Sequence, residues 1–166
     1  MLNYRIIFFV CIASIATIGD AQDHQQEIND QVWKPFIESF NNFNAENFLS
    51  VHSKELTRSP RDSKQILNWN EYLADQKKQM GRMKTDGIKL TIELHFTERI
   101  ANTMQAVDVG VYKTSIVMKD GTSNSGYGRF HVVMRKENGI WKILVDTDSS
   151  EGNTIGEKDF VAAKPM

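Results

Sequence analysis

The spacing of apolar residues changes once along this chain, at Gly87, and that change dictates what it can fold into. Before it, Ile28, Val32, Phe36, Phe40 and Phe43 lie four, four, four and three residues apart, one face of an amphipathic helix. Pro35 falls inside the pattern, so the helix either kinks there or begins its regular part nearby. Asn44 supplies an N-cap for a short second helix over Ala45–Val51, with Phe48 and Val51 turned inward. His52–Pro60 reads as a short strand or loop closed by Ser-Pro. Asp62 with Gln65 three residues later resembles a capping box. It would start a long third helix whose inner face carries Ile66, Trp69, Leu73, Gln76, Met80 and Met83, with Tyr72 beside them. Gly87 ends it.

From Ile88 the period is two. Strands are predicted over Ile88–Arg99, Met104–Met118, Ser125–Lys136 and Ile140–Asp148, and Asp120-Gly121 and Asn138-Gly139 suit tight hairpin turns. Helical stripes and a half-buried meander need each other as partners, so the class is α+β, three N-terminal helices packed on an antiparallel sheet. One domain is expected over residues 22–150. Gln22–Glu27 reads as a loose terminus and Glu151–Met166 as a loosely packed tail.

Two-residue turns fix a register for the meander. Asn138-Gly139 pairs Met134 with Ile143, Val132 with Val145 and Phe130 with Thr147, setting His131 across from Asp146 and Arg129 across from Asp148. Asp120-Gly121 pairs Val111 with Phe130, and a turn centred on Ala101-Asn102 pairs Phe96 with Val107 and His95 with Asp108. This partition gives one face to Ile92, Leu94, Phe96, Val107, Val109, Val111, Phe130, Val132, Met134, Trp141, Ile143 and Val145. Those residues should meet the helices. The opposite face carries Glu93, His95, Asp108, Tyr112, Arg129, His131, Asp146 and Asp148, with Val133 and Leu144 among them, and should meet solvent or another subunit.

The N-terminus constrains compartment. One positive charge in the first five residues, the thirteen-residue apolar run Ile6–Ile18, and Gly19-Asp20-Ala21 make the pattern of a secretory signal peptide over residues 1–21. The run is shorter than the roughly 20 apolar residues of a membrane span. A secreted or periplasmic protein is expected, with no membrane attachment after cleavage. The single cysteine, Cys11, lies within the run, so thiol chemistry and thiolate metal sites leave with it. A formal charge of −1 gives no case for nucleic-acid binding.

Three stretches carry a resemblance: Val32–Phe36, Glu46–Ser59 and Gly128–Asp146, the last with a G-x-W-K turn and strand. Together with the element order they resemble the SnoaL-like branch of the nuclear transport factor 2-like superfamily, over roughly Ile28 to Ser150. The resemblance implies a strongly bent sheet wrapped around the helices as a cone-shaped, cystatin-like roll, with a pocket between the layers. It also implies frequent homodimers through the sheet. Members include ketosteroid isomerases, polyketide cyclases and dehydratases, and also cargo-binding and accessory domains, so fold alone does not choose.

Candidate pocket-lining residues are Trp33, Phe36, His52, Arg58, Trp69, Tyr72, Phe130, Trp141 and Thr147. An isomerase needs a carboxylate and convergent hydrogen-bond donors in an apolar site. The register above puts the sheet's acids on the other face, so no catalytic set is identified. The expected function is an exported small-ligand-binding or accessory domain. The alternative is an isomerase, cyclase or dehydratase acting on a small apolar carbonyl compound. His95, Asp108, Tyr112, Arg129, His131, Asp146 and Asp148 are the candidate homodimer interface. His95, Asp108, His131 and Asp146 also raise the question of a metal, but ligands opposite on neighbouring strands rarely converge at about 2 Å. Neither a metal nor a cofactor is implied.

Overall fold

The computed structural model describes residues 18–166. Residues 1–17, most of the apolar run and of the expected leader, lie outside them. A helix α1 (Ile18–Ile28) passes through a π-helical turn, Asn29–Trp33, into α2 (Lys34–Asn41). The turn resolves the Pro35 problem, because Pro35 stands at the start of α2, where its missing N–H breaks no helical bond. Gln22–Glu27 is helical within α1 and not a loose terminus. Glu27 Oε2 accepts from Lys136 Nζ at 2.6 Å and from Trp141 Nε1 at 3.0 Å, which ties the helix to the last hairpin.

Helix α3 (Ala45–Ser50) is capped as expected, Asn44 Oδ1 accepting the Asn47 N–H at 3.1 Å. Strand β1 (His52–Pro60) follows, then a 3-10 turn (Arg61–Ser63), the short β2 (Leu67–Asn68) and α4 (Trp69–Thr85). The start of α4 corrects the expected one. Asn68 Oδ1 accepts the Glu71 N–H at 3.1 Å, and Glu71 Oε2 accepts the Asn68 N–H at 2.8 Å, a complete capping box. Asp62 instead accepts from Ser149 Oγ and the Ser150 N–H. Ile66, outside the helix, is 76% exposed.

Strands β3 (Lys89–Ala101), β4 (Gln105–Val117), β5 (Ser123–Glu137) and β6 (Ile140–Ser149) form the meander. A helix α5 (Glu157–Ala162) and a strand β7 (Lys164–Pro165) complete a sheet of order β2-β1-β6-β5-β4-β3-β7, with β1 parallel to β6. The fold is α+β, a block of helices packed on one face of a curled sheet. Its core joins Ile28, Val32 and Trp33 to Phe48, Phe96, Phe130, Met134, Trp141 and Ile143.

Two bulges and two altered turns move the register from the expected one. At Asn138-Gly139, both with positive φ, the two-residue turn holds and pairs Met134 with Ile143. Leu144 then bulges out, so Val132 pairs with Asp146, His131 with Thr147 and Phe130 with Asp148. Between β4 and β5 the loop has three residues, Lys119-Asp120-Gly121, with the Met118 N–H donating to the Thr122 carbonyl at 2.8 Å. Phe130 therefore opposes Gly110 and not Val111. The turn between β3 and β4 falls at Thr103-Met104 and not at Ala101-Asn102, the Asn102 N–H donating to the Gln105 carbonyl at 2.9 Å, and with a bulge at Thr97 this sets His95 opposite Val111 and Leu94 opposite Tyr112.

Since strand side chains alternate, each shift changes which residues meet the helices. Asp108, Tyr112, Asp146 and Asp148 turn inward, while Val107 and Val111 turn outward, contrary to the expected partition. Buried Asp108 accepts from Trp33 Nε1 at 2.7 Å and from Arg99 Nη2 at 3.0 Å, which makes its inward position affordable.

Where a loosely packed tail was expected, residues 151–166 fold onto the outer face. Ile155, Phe160 and Ala163 are buried, and Val111 is covered by Ile155 and Phe160. The Phe160 ring stacks on His95 at 3.8 Å, and β7 pairs with β3 at the sheet edge.

Candidate functional site

A cavity of about 290 Å³ opens between the helices and the inner face of the sheet. Its walls are apolar: Phe36 and Phe40 come from α2, Phe48 from α3, Met80 and Met83 from α4, and Leu90, Ile92, Leu94, Phe130 and Val132 from the sheet. The aromatic part is tightly built, with Phe36 and Phe48 ring centroids 4.7 Å apart. At one end the lining becomes polar, with Arg58 from β1, Tyr72 from α4, Tyr112 and Thr114 from β4, and Asp146 and Asp148 from β6.

The parallel pairing of β1 with β6 creates this end. Arg58 lies opposite Asp146, and Pro60 opposite Asp148. Arg58 Nε is 3.4 Å from Asp146 Oδ2, Nη1 donates to the Asp146 carbonyl at 3.3 Å, and Nη2 donates to Asp148 Oδ1 at 2.8 Å. The Arg58 guanidinium also lies 5.9 Å from the Tyr72 ring centre. Gly128 opposes Tyr112, whose ring occupies the space a β-carbon would need there. Tyr112 can therefore reach along the sheet toward Asp148.

Burial and mutual charge set the protonation of these groups. Burial pushes the Asp148 carboxyl above its ordinary range and the Asp146 charge adds to this, with Arg58 opposing. Burial pushes the Tyr72 and Tyr112 hydroxyls up as well, aided by Asp146 and Asp148 respectively, so both stay protonated donors at ordinary pH. For Arg58, burial favours the neutral form, but the two aspartates outweigh it and the guanidinium stays charged. The arrangement is a carboxyl with raised proton affinity beside tyrosine hydroxyls, at the end of an apolar chamber. It can orient a polar group of a bound molecule or exchange a proton with it.

Among the expected pocket residues, Trp33, Phe36, Arg58, Tyr72 and Phe130 line this cavity. His52 and Trp69 line a separate, more open groove with Lys77 and Lys142. His52 Nδ1 faces the Phe48 carbonyl at 3.0 Å, and burial pushes its pKa down to about 3, so the ring is neutral and satisfies the helix end. Trp141 is fully buried against Glu27, and Thr147 is on the outer face, its hydroxyl donating to the His131 carbonyl.

The expected interface residues divide. Arg129, paired with Glu151 at 3.2 Å, and exposed His131 are on the outer face. His95 is there too, beneath Phe160. Asp108, Tyr112, Asp146 and Asp148 are inside, so the four residues considered for a metal end on two sides of the sheet. The sequence reading missed Tyr112, Thr114, Asp146 and Asp148 as cavity residues. Two signals pointed to them: the unbroken apolar triplet Ile143-Leu144-Val145, which a bulge explains, and Gly128 within a strand, which marks a close approach.

No family model matches the chain, and no curated protein does. Solved structures do. A nuclear transport factor 2-like protein with a cystatin-like fold from Novosphingobium aromaticivorans superposes with a TM-score of 0.64 at 11% identity, over 76% of this chain and 81% of that one. The chain has the nuclear transport factor 2-like fold. A superfamily protein from Salmonella enterica matches at 0.62 and 18% identity, over 77% of this chain and 91% of its own. One of unknown function from Shewanella oneidensis matches at 0.60 and 21%, over 76% and 98%. At these identities the likeness concerns the fold, and the cavity's chemistry has to be argued from its own residues.

Proposed function

We propose that this nuclear transport factor 2-like chain is an exported small-ligand-binding domain of the SnoaL-like type. The carrying observation is the cavity itself, with an apolar aromatic wall and one polar end, the usual make-up of a small-molecule site. Native mass spectrometry of the purified chain tests it. A co-purified small molecule, displaced when the protein is denatured, is expected. A bare protein whose thermal transition no apolar compound shifts would contradict the reading.

A second reading, an isomerase, cyclase or dehydratase acting on a small apolar carbonyl compound, draws support from Asp148. It gives the cavity the raised-pKa carboxyl that such chemistry needs, with Tyr72 and Tyr112 as donors. Turnover abolished by Asp148→Asn with ligand binding retained would select this reading. Unchanged turnover in that variant would remove it.

Export and dimerisation belong to the same proposal. The leader pattern of residues 1–21 supports export, and release of Gln22 as the new N-terminus in a secreting host tests it. The outer face around exposed His131, bordered by the Arg129–Glu151 pair, is the surface through which two copies would pair. Arg129→Glu should then lower the apparent mass in size-exclusion measurements. A monomer-sized peak from the unaltered chain would sink this part.

A further inference from the structure

The polar end of the cavity has a chemical preference that its shape alone does not reveal. Arg58 is the one cationic side chain among the described residues that line the cavity. Each of its three guanidinium nitrogens already faces an oxygen: Nε the Asp146 carboxylate, Nη1 the Asp146 carbonyl, Nη2 the Asp148 carboxylate. A ligand anion would thus find no uncommitted cation. It would meet two aspartates instead, and burying a charge without a partner is costly. Counting Arg58 against Asp146 and Asp148, the end carries a formal charge of −1 with both carboxylates ionised and zero with one protonated. It turns positive only with both protonated.

The donors left for a ligand, the Tyr72 and Tyr112 hydroxyls and the Gln76 and Gln79 amides, are all neutral, whereas the acceptors on offer are charged. A carboxylate has about four lone-pair positions, and Arg58 Nη2 takes one of those on Asp148. The hydroxyls of Tyr72 and Tyr112 can each accept as well as donate. The apolar chamber, at about 290 Å³, lies at the small end of the range for ligand sites. It has roughly twice the volume of a cavity known to take benzene, about 150 Å³. Two fused rings fit that space.

Resting on the small-ligand reading above, we infer that the cavity selects an apolar ring compound bearing an uncharged or cationic hydrogen-bond donor, a hydroxyl or an amine, and rejects carboxylates. The donor meets Asp148 while the rings lie against Phe36, Phe48 and Phe130. Arg58 acts as a positioning residue: it holds both aspartates in place, and its single charge is already offset by theirs.

Calorimetric titration of the purified chain at neutral pH with three naphthalenes tests this, using 2-naphthol, 2-(aminomethyl)naphthalene and 2-naphthoate. The hydroxyl and amine compounds should bind at least about tenfold more tightly than the carboxylate, the ratio one charge-assisted hydrogen bond supplies. Asp148→Asn should narrow that ratio, because it removes one negative charge and loosens the hold on Arg58 Nη2. Naphthoate binding as tightly as naphthol would overturn the inference while leaving the small-ligand reading intact. If none of the three binds, both fall. The ratio in the unaltered chain decides the matter even where the variant folds poorly.

Discussion

Arg58 and Asp148, ninety residues apart in sequence, meet at 2.8 Å on neighbouring parallel strands, and Asp146 closes on the same guanidinium from 3.4 Å. This contact joins the strand after the first helices to the last strand of the meander. It also forms the polar end of the cavity. Replacing Arg58 with Met should leave two poorly hydrated carboxylates unpaired and destabilise the fold by about 3 kcal/mol, read from urea unfolding. Arg58→Lys should recover only part of the loss, since one ammonium cannot serve both aspartates. Equal stability of all three proteins would refute the pairing.

The His52 ring gives the fold a pH dependence of definite sign. Its pKa is pushed down to about 3 by burial, so the folded chain keeps it neutral. The unfolded chain takes up a proton there below about pH 6.5. The stability this provides is therefore present above that pH and lost as pH falls toward the folded value. Below about pH 6 the loss should approach about 1.4 kcal/mol per pH unit. Relative to the unaltered chain, His52→Gln should flatten the profile between about pH 6 and pH 5. Parallel profiles would show that His52 does not titrate as described.

Gly128 makes room for the Tyr112 ring, which a β-carbon would strike. Gly128→Ala should cost about 1–3 kcal/mol by overpacking and weaken binding of a cavity ligand by displacing the hydroxyl. Adding Tyr112→Ala should restore much of the stability, a coupling that thermal unfolding of the single and double variants measures. Strict additivity would mean the two residues do not meet.

Phe160 is buried on the outer face, on His95 and beside Tyr127. Phe160→Ala should cost about 3 kcal/mol and raise amide exchange along β3, where β7 now pairs. Exchange unchanged at His95 and Phe96 would show that residues 151–166 contribute nothing to that edge.

Much of this architecture is legible in the residues. The helical stripe from Ile28 to Phe43, the Asn44 cap, the four strands and the Asn138-Gly139 turn follow from local chemistry, and so do five of the cavity residues. The side of the sheet on which Asp108, Tyr112, Asp146 and Asp148 fall was not legible, because a period-two reading carries a one-residue error along the whole strand. The extra loop residue after Val117 and the bulges at Thr97 and Leu144 each introduce one such step. Apolar content also misled. Val107, Val109 and Val111 looked like helix-facing core, yet Asp108 takes that side of the strand, where Trp33 and Arg99 both donate to its Oδ2, partners 75 and 9 residues away. Residues 151–166 looked too polar to pack, and Phe160 with Ile155 suffices to anchor them.

The central claim is that the sheet's aspartates belong to a ligand cavity on its helix-facing side. Backbone amide shifts of the isotope-labelled chain, followed while 2-naphthol is added, test it most directly. The account predicts the largest changes at Tyr112, Phe130 and Asp148. Changes confined to the groove at Trp69, Lys77 and Lys142, or none anywhere, would contradict it.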